Sequence, residues 1–95
     1  MNLRFEWDSK KGRSNLSRRG VAFEEAITVF ANPMARIFDD EDHSIEEHRE
    51  IIICHWAKER LLVVCFTSHG ELVRIFSARK ATRAERKDYE ENIRS

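Results

Sequence analysis

The chain has 95 residues and a mass of 11.3 kDa, a usual size for one domain. Its 17 basic and 17 acidic residues give a formal net charge of zero. This balance excludes a uniformly basic coat for nucleic acids and an acidic disordered tail. The apolar runs are too short to span a membrane, and the chain opens without the pattern of a secretory signal. We therefore expect one folded domain over residues 1–95, in the cytoplasm and with no membrane partner.

The first twenty residues predict a strand followed by a helix. Asn2–Glu6 alternates apolar and polar side chains, which is typical of a short half-buried strand. Asp8 is a suitable N-cap for a helix over Ser9–Arg19, and Gly20 stands where a left-handed C-cap is favoured. The helix is polar, with Leu16 as its main apolar anchor. Its two end residues therefore predict the helix more strongly than the residues between them do.

The next segment predicts a second helix, a short strand and an acidic loop. An apolar stripe with the period of a helix runs over Phe23–Ala31, and Pro33 ends it. Ala35–Phe38 reads as a short strand. Asp39–Ser44 is too acidic to pack in a core, and we expect an exposed loop.

Three further strands and a final helix complete the chain. Arg49–Trp56, Leu61–Thr67 and Leu72–Ala78 are apolar segments joined by connections of hairpin length, which favours an antiparallel meander. Thr82–Glu85 is a capping box that starts a helix over Arg83–Asn92. The order β-α-α-β-β-β-β-α predicts an α+β fold with two N-terminal helices and one C-terminal helix on a twisted, mostly antiparallel sheet.

The cysteines and histidines predict neither a disulfide nor a metal. Cys54 and Cys65 lie in apolar runs and read as small buried hydrophobes. His43 and His48 are five residues apart in an acidic segment, a spacing that matches no strong zinc pattern. The chain also lacks a Walker loop, a dinucleotide-binding glycine motif, a zinc-protease motif and a recognisable nucleophile motif. We expect no cofactor.

The zero net charge is a sum of segregated parts. Residues 1–20 carry six basic and two acidic side chains, and residues 39–50 carry seven acidic ones with Arg49 as the one firm cation. From Arg74 to the end there are seven basic and four acidic residues. If the two ends of the chain meet in space, they form a basic concavity for phosphates. The alternative for the last helix is a solvated charged face.

Arg74 is unusual because it lies inside an apolar strand. Alternation places it on one face with Leu72 and Phe76. The opposite face then takes Val73, Ile75, Ser77 and Arg79. An arginine in such a strand needs an acidic partner or a cleft to reach into.

The junction between this strand and the last helix is a candidate anion site. Four polar side chains crowd it: Ser77, Arg79, Lys80 and Arg83. The start of the helix adds backbone N–H donors, so the junction is suited to hold a phosphate.

Two side chains leave alternatives open. His43 has the ordinary pKa nearest neutrality and stands beside Glu46 and Glu47, which suits an acid–base role, but a surface histidine without a role fits equally well. Tyr89 either stacks on a nucleobase or packs the last helix onto the sheet, and packing is the commoner role.

Ordered segments along nearly the whole chain resemble the BrnT toxins. The first part carries Phe5-Glu6-Trp7-Asp8, Asn15, Gly20-Val21, Phe23-Glu24-Glu25-Ala26 and Val29-Phe30. The middle carries Asp42-His43-Ser44, Glu47, Arg49, Arg60-Leu61-Leu62-Val63-Val64 and Thr67. The last part carries Arg74-Ile75, Ser77-Ala78-Arg79-Lys80-Ala81, Glu85 and Tyr89. No single motif is decisive, but the ordered set is specific.

The resemblance implies a type II toxin with a RelE-like fold and a ribonuclease activity that blocks translation. It also implies a BrnA-type antitoxin, a small DNA-binding protein, so that operator DNA is contacted only through the antitoxin. The chain departs from the family pattern before Gly20, where Lys-His is common and Arg18-Arg19 stands here. The charge is kept, but a histidine at position 19 is missing, which shifts the expectation toward proton transfer by His43 or toward purely electrostatic catalysis.

We therefore expect a metal-independent endoribonuclease that uses the 2′-hydroxyl of RNA as the nucleophile. The expected catalytic residues are Arg74 and Arg79 for phosphate charge, with His43 or Glu47 for proton transfer. The expected RNA-binding residues are Lys10, Arg19, Lys80, Arg83 and Tyr89. The alternative function is a binding module without catalysis that docks an antitoxin or nucleic acid.

Overall fold

A computed structural model describes residues 2–40, 48–56 and 60–94. The helices are α1 (Ser9–Arg19), α2 (Phe23–Ala26), which continues into a 3₁₀ segment (Ile27–Ala31), and α3 (Arg83–Arg94). The strands are β1 (Arg4–Glu6), β2 (Arg36–Asp39), β3 (Glu50–Trp56), β4 (Arg60–His69) and β5 (Leu72–Lys80). The predicted α+β class and element order are confirmed.

The strands form one mixed sheet in the order β1-β5-β4-β3-β2. Strands β2 to β5 are antiparallel neighbours, which confirms the meander, whereas β1 runs parallel to β5. The first strand therefore lies beside the last one. This pairing brings the two basic ends of the chain together, which is the condition under which the charge pattern predicted a basic concavity.

The predicted second helix is only partly α-helical. A single α turn over Phe23–Ala26 tightens into the 3₁₀ segment. Here the Thr28 hydroxyl donates a hydrogen bond of 2.7 Å to the carbonyl of Glu25. Such a side-chain bond competes with the helical ladder, and the β-branched residues of this segment favour a helix weakly.

The sheet buries a separate core on each face. The larger core lies under α2 and the 3₁₀ segment and includes Phe23, Val29 and Val64. The smaller core lies under α3 and includes Val63 and Tyr89. We call these surfaces the α2 face and the α3 face of the sheet. Because α3 covers only part of its face, the rest is available for a site.

Helix α1 is tied to the sheet by one buried amide. Its ends are as predicted, with Asp8 as N-cap and Gly20 as a left-handed C-cap at φ 72°. Asn15 in its middle donates hydrogen bonds of 2.8 Å to the carbonyls of Val21 and Ala78 and accepts one of 3.2 Å from the amide of Ala78. Strand β1 pairs with β5 only at residues 72–74, so Asn15 satisfies edge groups of β5 that β1 does not reach.

A β-bulge in β5 changes which side chains share a face. Cys65 pairs with Ser77, but Phe66 pairs with Ile75, so Phe76 is the extra residue. The predicted alternation, which put Arg79 on the face opposite Arg74, is therefore wrong. Beyond an inserted residue the alternation is reversed, and Arg79 lies on the α3 face with Phe76 and Arg74.

The predicted capping box of α3 has a second function. The Thr82 amide donates to Glu85 Oε1 at 2.8 Å, and the Glu85 amide donates to Thr82 Oγ1 at 3.1 Å. Both carboxylate oxygens of Glu85 also accept hydrogen bonds from Arg79, at 2.7 and 2.9 Å. The hydrogen bonds from Arg79 lower the pKa of Glu85 to about 2. One carboxylate thus joins the end of β5 to the start of α3.

The first prediction concerns the amide that joins α1 to β5. We expect Asn15→Ala to lower the free energy of unfolding by at least about 2 kcal/mol, because three backbone groups lose their partner in a buried place. Chemical denaturation measures this value. Ser17→Ala, an exposed change on the same helix, is the control and should stay within about 0.5 kcal/mol of the wild type. A loss below about 1 kcal/mol for Asn15→Ala would contradict this role.

The second prediction concerns pH. The pKa of Glu85 is lowered from its ordinary value of 4.5 to about 2, so its ion pair stabilises the folded state above the ordinary value and loses this effect as pH falls toward 2. We expect the stability difference between the wild type and Glu85→Gln to be largest near neutral pH and to shrink between about pH 5 and pH 2. Glutamine keeps a capping side chain, which isolates the charge. Urea unfolding across this range provides the measurement, and a difference independent of pH would refute the assignment.

Candidate functional site

The part of the α3 face that α3 leaves open forms a polar cavity of about 470 Å³. We call it the first cavity. Its cations are Lys11 from α1, Arg49 before β3 and Arg79 from β5. Its carboxylates are Asp40, which follows β2, and Glu85 of α3. The cavity thus collects three positive and two negative side chains from distant parts of the chain, and these suit it to an anionic ligand.

Arg79 is held in place by a carboxylate of the first cavity. Its bidentate pair with Glu85 uses two N–H groups, and Nη1 also donates to the carbonyl of Lys80 at 3.3 Å. The hydrogen bonds to Glu85 raise the pKa of the guanidinium, so it stays charged. A guanidinium has five N–H donors, which leaves two for a ligand.

Phe76 lies between the other two cations. The guanidinium of Arg49 stands over its ring at 4.0 Å from the centroid, and Lys11 Nζ lies 5.7 Å away. Phe76 alternates with Ile75, which faces the larger core, so its ring points toward the cavity and belongs to neither of the two cores. An aromatic ring beside cations is a suitable surface for a nucleobase next to its phosphate.

The cysteine in the cavity wall is not a nucleophile. Cys65 Sγ lies 3.3 Å from Asp40 Oδ2, and Asp40 is only 8% exposed. Burial, followed by the hydrogen bond and charge of Asp40, raises the pKa of the thiol to about 12. The thiol is therefore protonated at neutral pH and donates to the carboxylate. This contact also positions Asp40 at the cavity wall.

The structure separates the two arginines that the sequence put together. Arg79 lines the first cavity, but Arg74 does not. Arg74 lies five residues earlier on β5, about 15 Å away along an extended strand. There it forms a half-exposed ion pair of 3.2 Å with Glu6 of β1. Glu6 is thus the acidic partner that an arginine within an apolar strand was expected to need. This placement gives no support to a contact of Arg74 with the same phosphate as Arg79.

The predicted anion site at the start of α3 already holds an anion of the protein itself. The carboxylate of Glu85 accepts hydrogen bonds from the Thr82 amide and from the guanidinium of Arg79. Lys80 and Arg83 are exposed beside this junction and do not line the cavity. Their role in RNA binding stays a prediction.

A second cavity of about 250 Å³ adjoins the first. It contains Arg19, one of the predicted RNA-binding residues, together with Arg18. Lys10 is exposed but lines neither cavity, whereas its neighbour Lys11 lines both. Successive residues on a helix point about 100° apart, so the two lysines face different directions, and RNA binding by Lys10 stays a prediction.

Tyr89 packs in the core and does not offer its ring for stacking. It is 3% exposed, and its hydroxyl donates to the carbonyl of Met34 at 2.9 Å. Its ring contacts His55 edge-on, with centroids 5.4 Å apart. The packing alternative buries both the ring and its polar end, so this placement gives no support to RNA binding by Tyr89, which stays a prediction.

The two proton-transfer candidates, His43 and Glu47, lie outside the described residues. The sequence reasoning gave no role in the site to Lys11, Arg49 or Phe76. The sequence could have identified Arg49, because Arg49 is one of the residues that carry the BrnT resemblance. Alternation had already placed Phe76 on the face of Arg74, whereas the place of Lys11 depends on the rotation of α1, which leaves no clear sequence signal.

One group of described side chains has the geometry for a metal ion. Asp39, His48 and Glu50 bring one ligand atom each within 4.8 Å of one another, and His48 Nε2 lies 3.1 Å from Asp39 Oδ1. Glu50 pairs with Asp39 across the sheet and alternates with Ile51, which lines the first cavity. The group therefore lies on the α2 face, opposite the first cavity. None of the helices within the described part of the chain is long and apolar enough to cross a membrane.

Comparisons with known proteins identify a family and related structures. Residues 7–85 match the sequence model of a family described as "Ribonuclease toxin, BrnT, of type II toxin-antitoxin system". The crystal structure of the Brucella abortus ribonuclease toxin BrnT superimposes with a TM-score of 0.68, at 20% identity over 86% of this chain and 100% of that one. No curated protein matches the chain. At this identity the structural likeness shows the shared fold alone.

The family match covers most of the chain, from the end of β1 into the first turn of α3. It includes every residue that lines the first cavity. The chain therefore belongs to the BrnT family of ribonuclease toxins from type II toxin–antitoxin systems.

Proposed function

We propose that this protein is an endoribonuclease toxin that cleaves RNA without a metal ion, by attack of the 2′-hydroxyl on the adjacent phosphate. The observation that carries the proposal is the first cavity, in which Lys11, Arg49 and Arg79 converge on the open part of the sheet. The family supports a ribonuclease activity, and the cavity supplies the charge that such a reaction needs.

The substrate supplies the nucleophile, so the protein needs no covalent intermediate. The 2′-oxygen forms a bond to phosphorus while the bond from phosphorus to the 5′-oxygen breaks. The 2′-hydroxyl loses a proton and the leaving 5′-oxygen gains one, which yields a cyclic phosphate and a free hydroxyl. The protein must hold the phosphate in line, stabilise the growing negative charge and move the two protons. The protonated thiol of Cys65 agrees with a mechanism that needs no protein nucleophile.

Arg79 is the residue we assign to the phosphate. Glu85 holds its guanidinium in one orientation, and two N–H groups remain for phosphate oxygens. A preorganised donor costs no reorganisation during the reaction, which is why fixed donors contribute strongly to catalysis. Arg49 and Lys11 add positive charge from the other side of the cavity.

Proton transfer remains assigned to His43 or Glu47, as expected from the sequence. In chain order these residues lie between Asp40, which lines the cavity, and His48. A histidine is suited to exchange protons near neutral pH, and a nearby carboxylate can orient it.

The proposed partner is a BrnA-type antitoxin that covers the basic surface with acidic side chains. The toxin–antitoxin family supports a protein partner, and the cations that lie around the two cavities support this docking mode. Such an antitoxin would block the RNA site directly. Contact with operator DNA would then run through the antitoxin.

The third prediction tests the reaction. We expect Arg79→Gln to lower the cleavage rate of purified protein about a hundredfold, because a fixed transition-state donor is worth about 3 kcal/mol. Arg86→Gln removes the same charge from α3, where Arg86 pairs with Glu90 at 3.7 Å, and is the matched control. Cleavage of a labelled oligoribonucleotide, with and without a chelator, provides the rates.

Each result of that assay separates the alternatives. Full loss of wild-type activity in chelator would refute the metal-independent mechanism and direct attention to Asp39, His48 and Glu50. Equal rates for Arg79→Gln and the wild type would remove Arg79 from the site. No cleavage by the wild type, with antitoxin binding intact, would favour the binding module without catalysis.

The fourth prediction concerns the antitoxin. If acidic side chains cover the basic cavities, affinity should fall steeply as salt rises from about 0.05 to 0.5 M, because exposed charges are screened. Titration calorimetry at several salt concentrations measures this. Affinity independent of salt would instead indicate the edge of the sheet near β2, where Met34, Ile37 and Phe38 are about half exposed.

A further inference from the structure

We propose that the two cavities are adjoining nucleotide subsites on one RNA strand, divided by a wall of Phe76, Lys11 and Ser77. The inference rests on the proposed function, since it takes the first cavity as the place of the scissile phosphate. It assigns the second cavity to the next nucleotide along the strand. The chemical class of its ligand is a nucleotide of single-stranded RNA, bound by its phosphate and its base.

The first observation is that the cavities share a wall. Lys11, Phe76 and Ser77 line both of them, so the two cavities are adjacent and these three side chains separate them. The first cavity contains Arg79 beyond this wall, and the second contains Arg18 and Arg19. A strand that crosses the wall meets cations on both sides.

The second observation is the origin of the wall. In a regular strand Ser77 would point away from the face that Phe76 occupies. The bulge at Phe76 keeps Ser77 on the same face as Phe76 and sends Ala78 into the larger core. Bulges re-aim side chains at functional sites, and this one places the Ser77 hydroxyl beside the ring and turns Arg79 toward the first cavity.

The third observation is a difference in charge. The lining of the first cavity includes two carboxylates, whereas the lining of the second includes none. Among the described residues, Lys11, Arg18 and Arg19 form no ion pair, while Arg79 is held by Glu85. Cations without acidic partners bind a phosphate with no competing bond to break. The second cavity therefore anchors the strand, and the first cavity holds the reacting phosphate.

The wall itself is suited to a base. Arg49 Cζ lies over one side of the Phe76 ring, 4.0 Å from its centroid, and a base can stack on the other side of the ring or on the guanidinium, since both kinds of surface stack on nucleobases. Stacking on an aromatic ring is worth about 1–3 kcal/mol per base and tolerates any base. We therefore expect this wall to add affinity without strong sequence preference.

The consequence is a dependence of binding on RNA length. A dinucleotide has one phosphate between its nucleosides and fills only the first cavity. A tetranucleotide that extends past the scissile phosphate reaches the second cavity as well. We expect its Kd to be about tenfold lower, which corresponds to one stacked and charge-paired nucleotide.

The test uses the whole protein and oligoribonucleotides with a 2′-deoxy sugar at the scissile position, which removes the nucleophile and prevents cleavage. Fluorescence anisotropy gives the Kd of a dinucleotide and of tetranucleotides extended on the 5′ or the 3′ side. We expect one of the two extensions to bind about tenfold more tightly. In Arg18→Gln this gain should be lost. Arg13→Gln, which removes the same charge from an exposed position of α1 outside both cavities, should keep the gain.

Variants at the wall give an independent readout. Phe76→Leu should weaken tetranucleotide binding about tenfold, whereas Phe76→Trp, which keeps an aromatic surface, should retain it. Thermal unfolding identifies any variant that fails to fold, and Arg18→Gln tests the inference even if Phe76→Leu does so, because Arg18 is exposed. Equal Kd values for the dinucleotide and both extensions would overturn the inference, as would equal effects of Arg18→Gln and Arg13→Gln. If the length dependence is present but unmodified RNA is not cleaved, the subsites stand and the proposed catalysis fails.

Discussion

The irregular second half of β5 is the constraint on which the functional surface depends. One inserted residue, Phe76, reverses the alternation of the strand, so that Ala78 enters the larger core and Arg79 faces the first cavity. A bulge weakens the local ladder, and here the amide of Asn15 compensates with three hydrogen bonds, two of them to Ala78. The same contact fixes α1 against β5, which places Lys11 opposite Arg79. Fold stability and site geometry therefore share one buried side chain.

This arrangement shows where the basic and acidic residues that sum to a net charge of zero lie in the structure. The basic ends of the chain meet because β1 lies beside β5, but carboxylates accompany the cations into the first cavity. The carboxylate of Glu85 occupies the strand–helix junction, where the sequence predicted a phosphate. It fixes the orientation of the Arg79 guanidinium and lowers the positive charge of the cavity. A neutral protein with a partly neutralised site attracts nucleic acid weakly at long range. Close contacts, which depend on shape and hydrogen bonds, then contribute more of the binding than net charge does.

Several elements followed from local patterns alone. The caps at Asp8, Gly20 and Thr82 are formed by side chains and backbone within a few residues of each helix end, so sequence reasoning located them correctly. The meander was predictable for the same reason, since its strands are long and apolar and its turns are short. The second helix was less regular than predicted because the Thr28 hydroxyl competes with its ladder.

What the sequence by itself determined is therefore the class of fold, the order of its elements and the family. Each of these is encoded in neighbouring residues or in an ordered set of short segments. Only the tertiary structure decided which cations meet: it paired Arg74 with Glu6, buried Tyr89, and chose Lys11 and Arg49 as the companions of Arg79. The physical reason is that these outcomes depend on the rotation of α1 and on a single inserted residue in β5. Both are set by packing between distant parts of the chain, and neither leaves a periodic trace in the sequence.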